Sequence, residues 1–243
     1  MIVSIMQPYL LPYIGYLQLL KHSDKFVVFD SVQYIDKGWV NRNRVLHPSI
    51  DKGWQYITYP LSRKSNFNSI RDISVKKDFD FFPDLIAKIV HFKKAPFYKD
   101  VFTYIHHLEE IVSEYESISI INTVILNDLN EKLDLQCEIV HESSINYDSS
   151  AVKHAGQWAL EISKAINAKV YVNPIGGKEL FKVEEFNDSN IKLEFLETEL
   201  VPYKQYRGYF EPGLSIIDVL LWNGFTGAKD MIKNHYIIRS TKL

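Results

Sequence analysis

The residues able to do chemistry lie in a few short stretches. Gln7-Pro8-Tyr9 comes first, followed by Tyr13 and Tyr16, which flank Gly15. Tyrosine hydroxyls and an amide can hold a sugar or an anion, and free amides at a helix start favour a phosphate. The alternative is packing: Gly15 lets a helix approach a sheet, and the tyrosines fill the gap. Asn41-Arg42-Asn43-Arg44 is the second stretch, preceded by Lys37 and Trp39. Arginine presents a planar fork to carboxylate or phosphate, and asparagine both donates and accepts. If this stretch is extended, the two asparagines face one way and the two arginines the other. Its alternative is a solvated hairpin with salt bridges to Asp30, Asp36 or Asp51. Gly176-Gly177-Lys178 can cap a strand and free amides for phosphate, or form an ordinary turn. His154 opens a predicted helix leading to that turn. Tyr203, Tyr206, Tyr209 and Phe210 form an aromatic loop able to lid a pocket, and Ser215 and Asp218 start the last helix.

The elements that carry these residues follow from hydrophobic spacing. Ile2–Met6 is a short β-branched run and reads as a buried strand, stopped by Gln7-Pro8. Leu11, Ile14, Leu17, Leu19 and Leu20 recur at helical spacing, and Lys25–Asp30 is a second strand. A strand–helix–strand unit requires parallel strands, and ligands in such sheets bind beyond the carboxyl ends. That reasoning selects Gln7–Tyr9 and the run from Asp30 through Gln33 to Arg44. Downstream, strands are expected at Trp54–Leu61, Asn68–Val75, Gln136–His141, Lys169–Val172 and Lys192–Leu196. Helices are expected at Asp80–Phe92, Lys99–Tyr115, Ser119–Leu133, Ser149–Ile166, Phe181–Phe186 and Leu214–Trp222, the last stopping at Asn223-Gly224. Ser62–Asn68 is polar and expected to be mobile. The whole reads as a single α/β domain over 1–243, with a mainly parallel Rossmann-like sheet and a helical insertion at about 80–133.

Composition narrows the function classes. The chain has 243 residues, 46% hydrophobic and 24% charged, as expected of a globular protein. A net charge of −2 argues against a nucleic-acid partner. The single Cys137 excludes an internal disulfide and a multi-cysteine zinc site, and no bound metal is expected. No run approaches the ~20 apolar residues of a membrane span, and a cytoplasmic location is expected. Walker, GxGxxG, GxSxG and HExxH signatures are missing, so no cofactor is identified. His106-His107 point different ways on a helix and make a poor metal pair.

The blocks MQPYLLPYIGYLQLL, DKFVVFDSVQYIDKGWVNRNRVL, NPIGGKELF and FEPGLSIIDVLLWNG resemble the WbqC-like family through nearly the whole chain. The resemblance implies an enzyme of surface-polysaccharide (O-antigen) assembly. Its implied reaction attaches an acyl or aminoacyl group, such as glycyl, to the amine of a nucleotide-linked amino sugar. The opening unit is also similar in layout to HIGH-motif nucleotidyltransferases, with Tyr13 and Tyr16 standing where two histidines would grip ATP. That similarity implies an ATP-dependent amide ligase as one alternative, and a non-catalytic nucleotide-sugar-binding protein is another.

Under the transferase reading, the Gln7–Tyr16 turn and Gly176-Gly177 hold phosphate or sugar. Arg42 or Arg44 pairs with a diphosphate or a donor carboxylate, helped by Gln33, Lys37, Trp39, Lys178 and Tyr206. Acyl transfer needs a base and oxyanion donors. Asp30 or His154 is the expected base, and Asn41 or Asn43 the expected oxyanion donor. An acyl or aminoacyl carrier protein is a possible partner.

Overall fold

The computed structural model describes residues 1–62 and 68–241. Most of Ser62–Asn68, the stretch expected to be mobile, lies outside the described residues. β1 (Ile2–Met6) leads through α1 (Ile14–His22) to β2 (Lys25–Val28). A two-stranded antiparallel ribbon follows, β3 (Arg42–Leu46) with β4 (Trp54–Thr58). Three helices then run in succession: α2 (Phe81–Ile89), α3 (Tyr98–Val112) and α4 (Ile118–Lys132). The chain returns to the sheet with β5 (Glu138–His141), α5 (Ala155–Ala165), β6 (Val170–Pro174), α6 (Val183–Asp188) and β7 (Lys192–Thr198). It closes with α7 (Ile216–Asn234) and β8 (Tyr236–Ser240).

The main sheet has the order β5-β2-β1-β6-β7-β8, parallel except for the antiparallel β8. Renumbered within the sheet this is 3-2-1-4-5-6, the doubly wound Rossmann-like arrangement. The order reverses between β1 and β6, which pair at Ile2–Val170 and Val3–Tyr171, in the amino-terminal half of β1. The carboxyl ends of β1 and β6 therefore flank the switch point, where ligands bind in such sheets.

Side-chain alternation sends the strands' apolar residues to two cores. Phe26, Val28, Val172 and Leu196 pack with α1, α7 and the helical insertion. Val3, Ile5, Val27, Tyr171, Leu193 and Phe195 pack under α5 and α6. The helical middle expected from periodicity is present as α2 to α4. Helix α1 lies close on the sheet because Gly15 has no side chain: a Cβ there would collide with the Thr198 hydroxyl and the Tyr13 ring.

Two expectations are corrected, and one strand, β8, had none. Asn68–Val75 forms a 3-10 turn at Ile70–Asp72 rather than a strand. Its backbone bonds to the segment that follows β2 instead, Ile70 N–H donating to Val32 O and Arg71 N–H to Asp30 O. The last helix does not stop at Asn223-Gly224. Gly224 adopts φ 64°, the axis kinks, and helix resumes to Asn234. A third element, the edge strand β8, carries no clear alternation and was not foreseen. At the kink, a Cβ on residue 224 would lie 2.8 Å from the Phe97 ring. Left-handed φ and steric conflict together penalise any side chain there. Gly224→Ala should lower stability by about 1–3 kcal/mol, measured by chemical denaturation. Gly176→Ala, which meets open space, should change it by less than about 0.5 kcal/mol.

Candidate functional site

The turn after β1 is held from two sides. Leu11 is buried with φ 44°, a conformation a leucine rarely adopts. The Asn43 side-chain amide donates to Leu10 O (3.1 Å) and Leu11 O (2.6 Å). Ser215 Oγ also donates to Leu11 O (2.8 Å), and Ile216 N–H to Pro12 O (2.8 Å). Buried carbonyls must be paired, so these donors fix the strained turn. Asn41 does the same work one strand position away, donating to Tyr59 O and accepting from Tyr34 Oη, both at 2.8 Å. Both asparagines are buried and face the core, whereas Arg42 and Arg44 face outward, as strand alternation requires. The Asn43 amide is thus occupied by two backbone carbonyls, and the Asn41 amide donates to one.

At the carboxyl ends of β2 and β5 the sheet brings together Asp30 and His141. Val28 pairs with His141 in register, and Asp30 follows two residues on. His141 Nδ1 lies 3.2 Å from Asp30 Oδ2, which also accepts from Ser119 Oγ of α4 at 2.5 Å. Burial alone would raise the Asp30 carboxyl, but hydrogen bonds from His141 and Ser119, with the charges of His141 and Arg71, hold it below the usual range. Asp30 is therefore a carboxylate and can only accept. The bond then requires a proton on Nδ1, which leaves Nε2 of the neutral ring as an acceptor. The imidazole is partly exposed while Asp30 is buried. Beside them, Arg71 Nη2 pairs with Glu142 Oε2 at 3.1 Å, and Tyr147 donates to the other oxygen of Glu142. A carboxylate-oriented imidazole at a strand end is the arrangement of a general base. His141 was missed because the carboxyl-end rule was applied to β1 and β2 but not to the third parallel strand.

The aromatic residues of the first stretch build a second group. Tyr9 contacts Trp39 (5.8 Å between centroids), Tyr16 (5.6 Å) and Tyr13 (6.2 Å). Burial, then the neighbouring Tyr13, push the Tyr9 hydroxyl up, while the Arg44 charge pulls it down. Tyr16 is buried and donates its one hydroxyl proton to Gln7 O (2.8 Å). It therefore has no proton to give an ATP phosphate. Tyr13 is tied to Thr198 at the end of β7.

His154 lies elsewhere. Its Nε2 is 3.1 Å from both oxygens of Glu185 on α6, and Gln157 binds the same carboxylate. This group is on the α5–α6 face, while Asp30 contacts Ser119 of α4, which packs in the other core. The two alternative candidates for the base thus belong to different groups of residues. Gln33 bridges Ser69, the Lys37 carbonyl receives the Arg42 guanidinium, and Tyr206 packs edge-on against Phe92 (5.3 Å). Among the described residues, no three His, Cys, Asp or Glu side chains gather to hold a metal, and no helix is long and apolar enough to cross a membrane.

The model of the WbqC-like protein family matches residues 7–230. The chain belongs to this family. The WbqC-like match begins at Gln7, the first residue past β1, and ends inside α7, so it spans the held turn, the Asp30–His141 pair and the guanidinium face. The uncharacterized protein Rv1507c of Mycobacterium tuberculosis is 24% identical over 235 residues, covering 95% of this chain and 97% of that protein. No solved structure matches the chain.

In this WbqC-like chain, the segment between β7 and α7 is strapped down over the ribbon. Gly213 O accepts from Arg44 Nη2 (3.2 Å), and Ser215 N–H donates to Arg44 O (2.9 Å). Its anchor is Asp218, buried, which accepts from Tyr203 Oη and Gln205 Nε2, both at 2.7 Å. Burial pushes the Asp218 carboxyl up to about 6, against the pull of the Tyr203, Gln205 and Trp222 donors. A carboxyl raised above its unfolded value of about 4 contributes stability fully below that pH. The contribution is lost as pH rises towards the folded value, a change of roughly 3 kcal/mol from about 4 to about 6. Asp30, with its carboxyl lowered, works in the opposite sense and loses its share only as pH falls below the ordinary carboxylate range. Melting curves between pH 4 and 7 should show Asp218→Asn gaining on the wild type as pH rises and levelling off above about 6. A constant difference across that window contradicts the assignment.

Proposed function

We propose that this WbqC-like protein is an enzyme that transfers an acyl or aminoacyl group to the amine of a nucleotide-linked amino sugar in surface-polysaccharide assembly. The observation that carries the reading is the Asp30–His141 pair at the carboxyl ends of adjacent parallel strands, on the same edge of the sheet as the β1–β6 switch point. Sequence resemblance supports the substrate class.

The sugar amine attacks the acyl carbon of an activated donor. His141 Nε2 takes the proton released as the C–N bond forms. Asp30, held by Ser119, keeps the ring oriented and stabilises the imidazolium. When the bond to the donor's leaving group breaks, that group departs with the electron pair and receives the proton from His141. Arg71, beside the pair, offers positive charge to the developing oxyanion. Asn41 and Asn43 position the scaffold, and Gln7 lines the crevice at the end of β1.

A mass-spectrometric product search tests this, using UDP- and dTDP-linked amino sugars as acceptors and CoA thioesters and activated amino acids as donors. The expected product is an N-acylated nucleotide sugar. His141→Gln and Asp30→Asn should each lower kcat about 10²- to 10⁴-fold, His141→Gln with a melting temperature near wild type. Full turnover by His141→Gln, or no product from any pair, contradicts the reading.

A further inference from the structure

The outward face of the β3–β4 ribbon carries an unusual alternation of rings and charges. Arg44 Cζ lies 5.1 Å from the Trp54 ring and 5.4 Å from the Trp39 ring. Arg42 Cζ lies 5.7 Å from Trp39 and 4.4 Å from Tyr56. Trp54, Arg44, Trp39, Arg42 and Tyr56 form one closed cluster, in which Trp39 touches both guanidiniums and Trp54 meets Tyr56 edge-on at 4.8 Å. The ribbon register explains it: Arg44 pairs with Tyr56 and Leu46 with Trp54, so the arginines and the β4 aromatics share a face. Trp39 and Tyr56 are exposed at the cluster's surface.

The two positive charges are left uncompensated. Arg71 pairs with Glu142 and Arg239 with Glu197, but among the described residues neither Arg42 nor Arg44 pairs with a carboxylate. Their partners are neutral carbonyls: Gly38 O and Lys37 O for Arg42, Gly213 O for Arg44. Arg44 Nε is buried with no acceptor. A guanidinium has five N–H donors, so each retains several. Lys37 adds a third cation at the rim, held at φ 62°. Carbonyl contacts and ring faces fix both forks in advance, which lowers the ordering cost of binding. Two charges one strand repeat apart, about 6.6 Å between Cα atoms, suit two linked phosphoryl groups better than one.

We propose that Arg42 and Arg44 form a shelf for the diphosphate of a nucleoside diphosphate group. The proposal deepens the transferase reading, because it identifies the part of the nucleotide sugar that the protein grips. It stands on a different group of residues from the Asp30–His141 pair.

Calorimetric titration of the full chain with UDP, dTDP, UMP and inorganic pyrophosphate tests it. Wild type should bind UDP, dTDP and pyrophosphate, with UMP at least tenfold weaker. Arg42→Gln should weaken UDP and pyrophosphate at least tenfold. Arg44→Lys, which keeps the charge but removes the fork, should do the same if its melting temperature is unchanged. Trp39→Ala, which removes the ring that both guanidiniums touch, should weaken UDP and pyrophosphate alike. Equal UDP affinity in Arg42→Gln and wild type, or no binding of UDP or pyrophosphate to wild type, overturns the shelf. UDP binding that depends on Arg42 without any transfer product leaves the shelf standing and overturns the catalytic reading. Transfer with KM unchanged in Arg42→Gln does the reverse.

Discussion

The amide of Asn43 holds the molecule's most demanding piece of backbone. Leu11 lies in the left-handed region, and the carbonyls at Leu10 and Leu11 are turned away from the strand they follow. Without buried donors there, the chain after β1 has easier conformations available. Asn43 supplies donors from the ribbon and Ser215 from the start of α7, so three distant segments meet on two peptide groups. From that junction follow the position of Tyr9, the start of α1, and the seat of the ribbon above the sheet. Strand alternation then does the rest: an inward Asn43 requires outward Arg42 and Arg44.

The topology arranges charge by strand order. Moving across the sheet from β5, the carboxyl ends present His141, Asp30, Gln7, Asn173 and Thr198. Asp30 and His141 are coupled because parallel neighbours bring adjacent ends within side-chain reach. The helical insertion contributes Ser119 to the same carboxylate. Insertion and sheet therefore complete one group. The guanidinium cluster has another origin, an antiparallel ribbon placed between β2 and the insertion.

Much of this was legible in residue order. Ile2–Met6, the helical spacing of Leu11–Leu20 and the β-branched Lys25–Asp30 specify a parallel unit, and the structure has it. The opposite facing of Asn41/Asn43 and Arg42/Arg44 followed from the two-residue repeat. What residue order did not reveal was which polar pair the fold would consume. An asparagine that binds backbone looks, in sequence, like one that binds a ligand. His141 closes a short strand with few neighbours to mark it, and its partner is 111 positions away. The kink at Gly224 was read as a stop because Asn-Gly ends most helices; Phe97, far off in sequence, fills the space and α7 continues. β8 shows no alternation because it pairs on one edge only and exposes Ile237.

The account rests on an imidazole that Asp30 holds with its Nε2 bare. Nitrogen-15 NMR of the histidine side chains, assigned with His141→Gln and recorded where the rings are neutral, measures this directly. The account predicts that His141 carries its proton on Nδ1 and shows an unprotonated Nε2, and that Asp30→Asn removes this preference. A proton on Nε2 in the wild type, or a tautomer unchanged by Asp30→Asn, would contradict it.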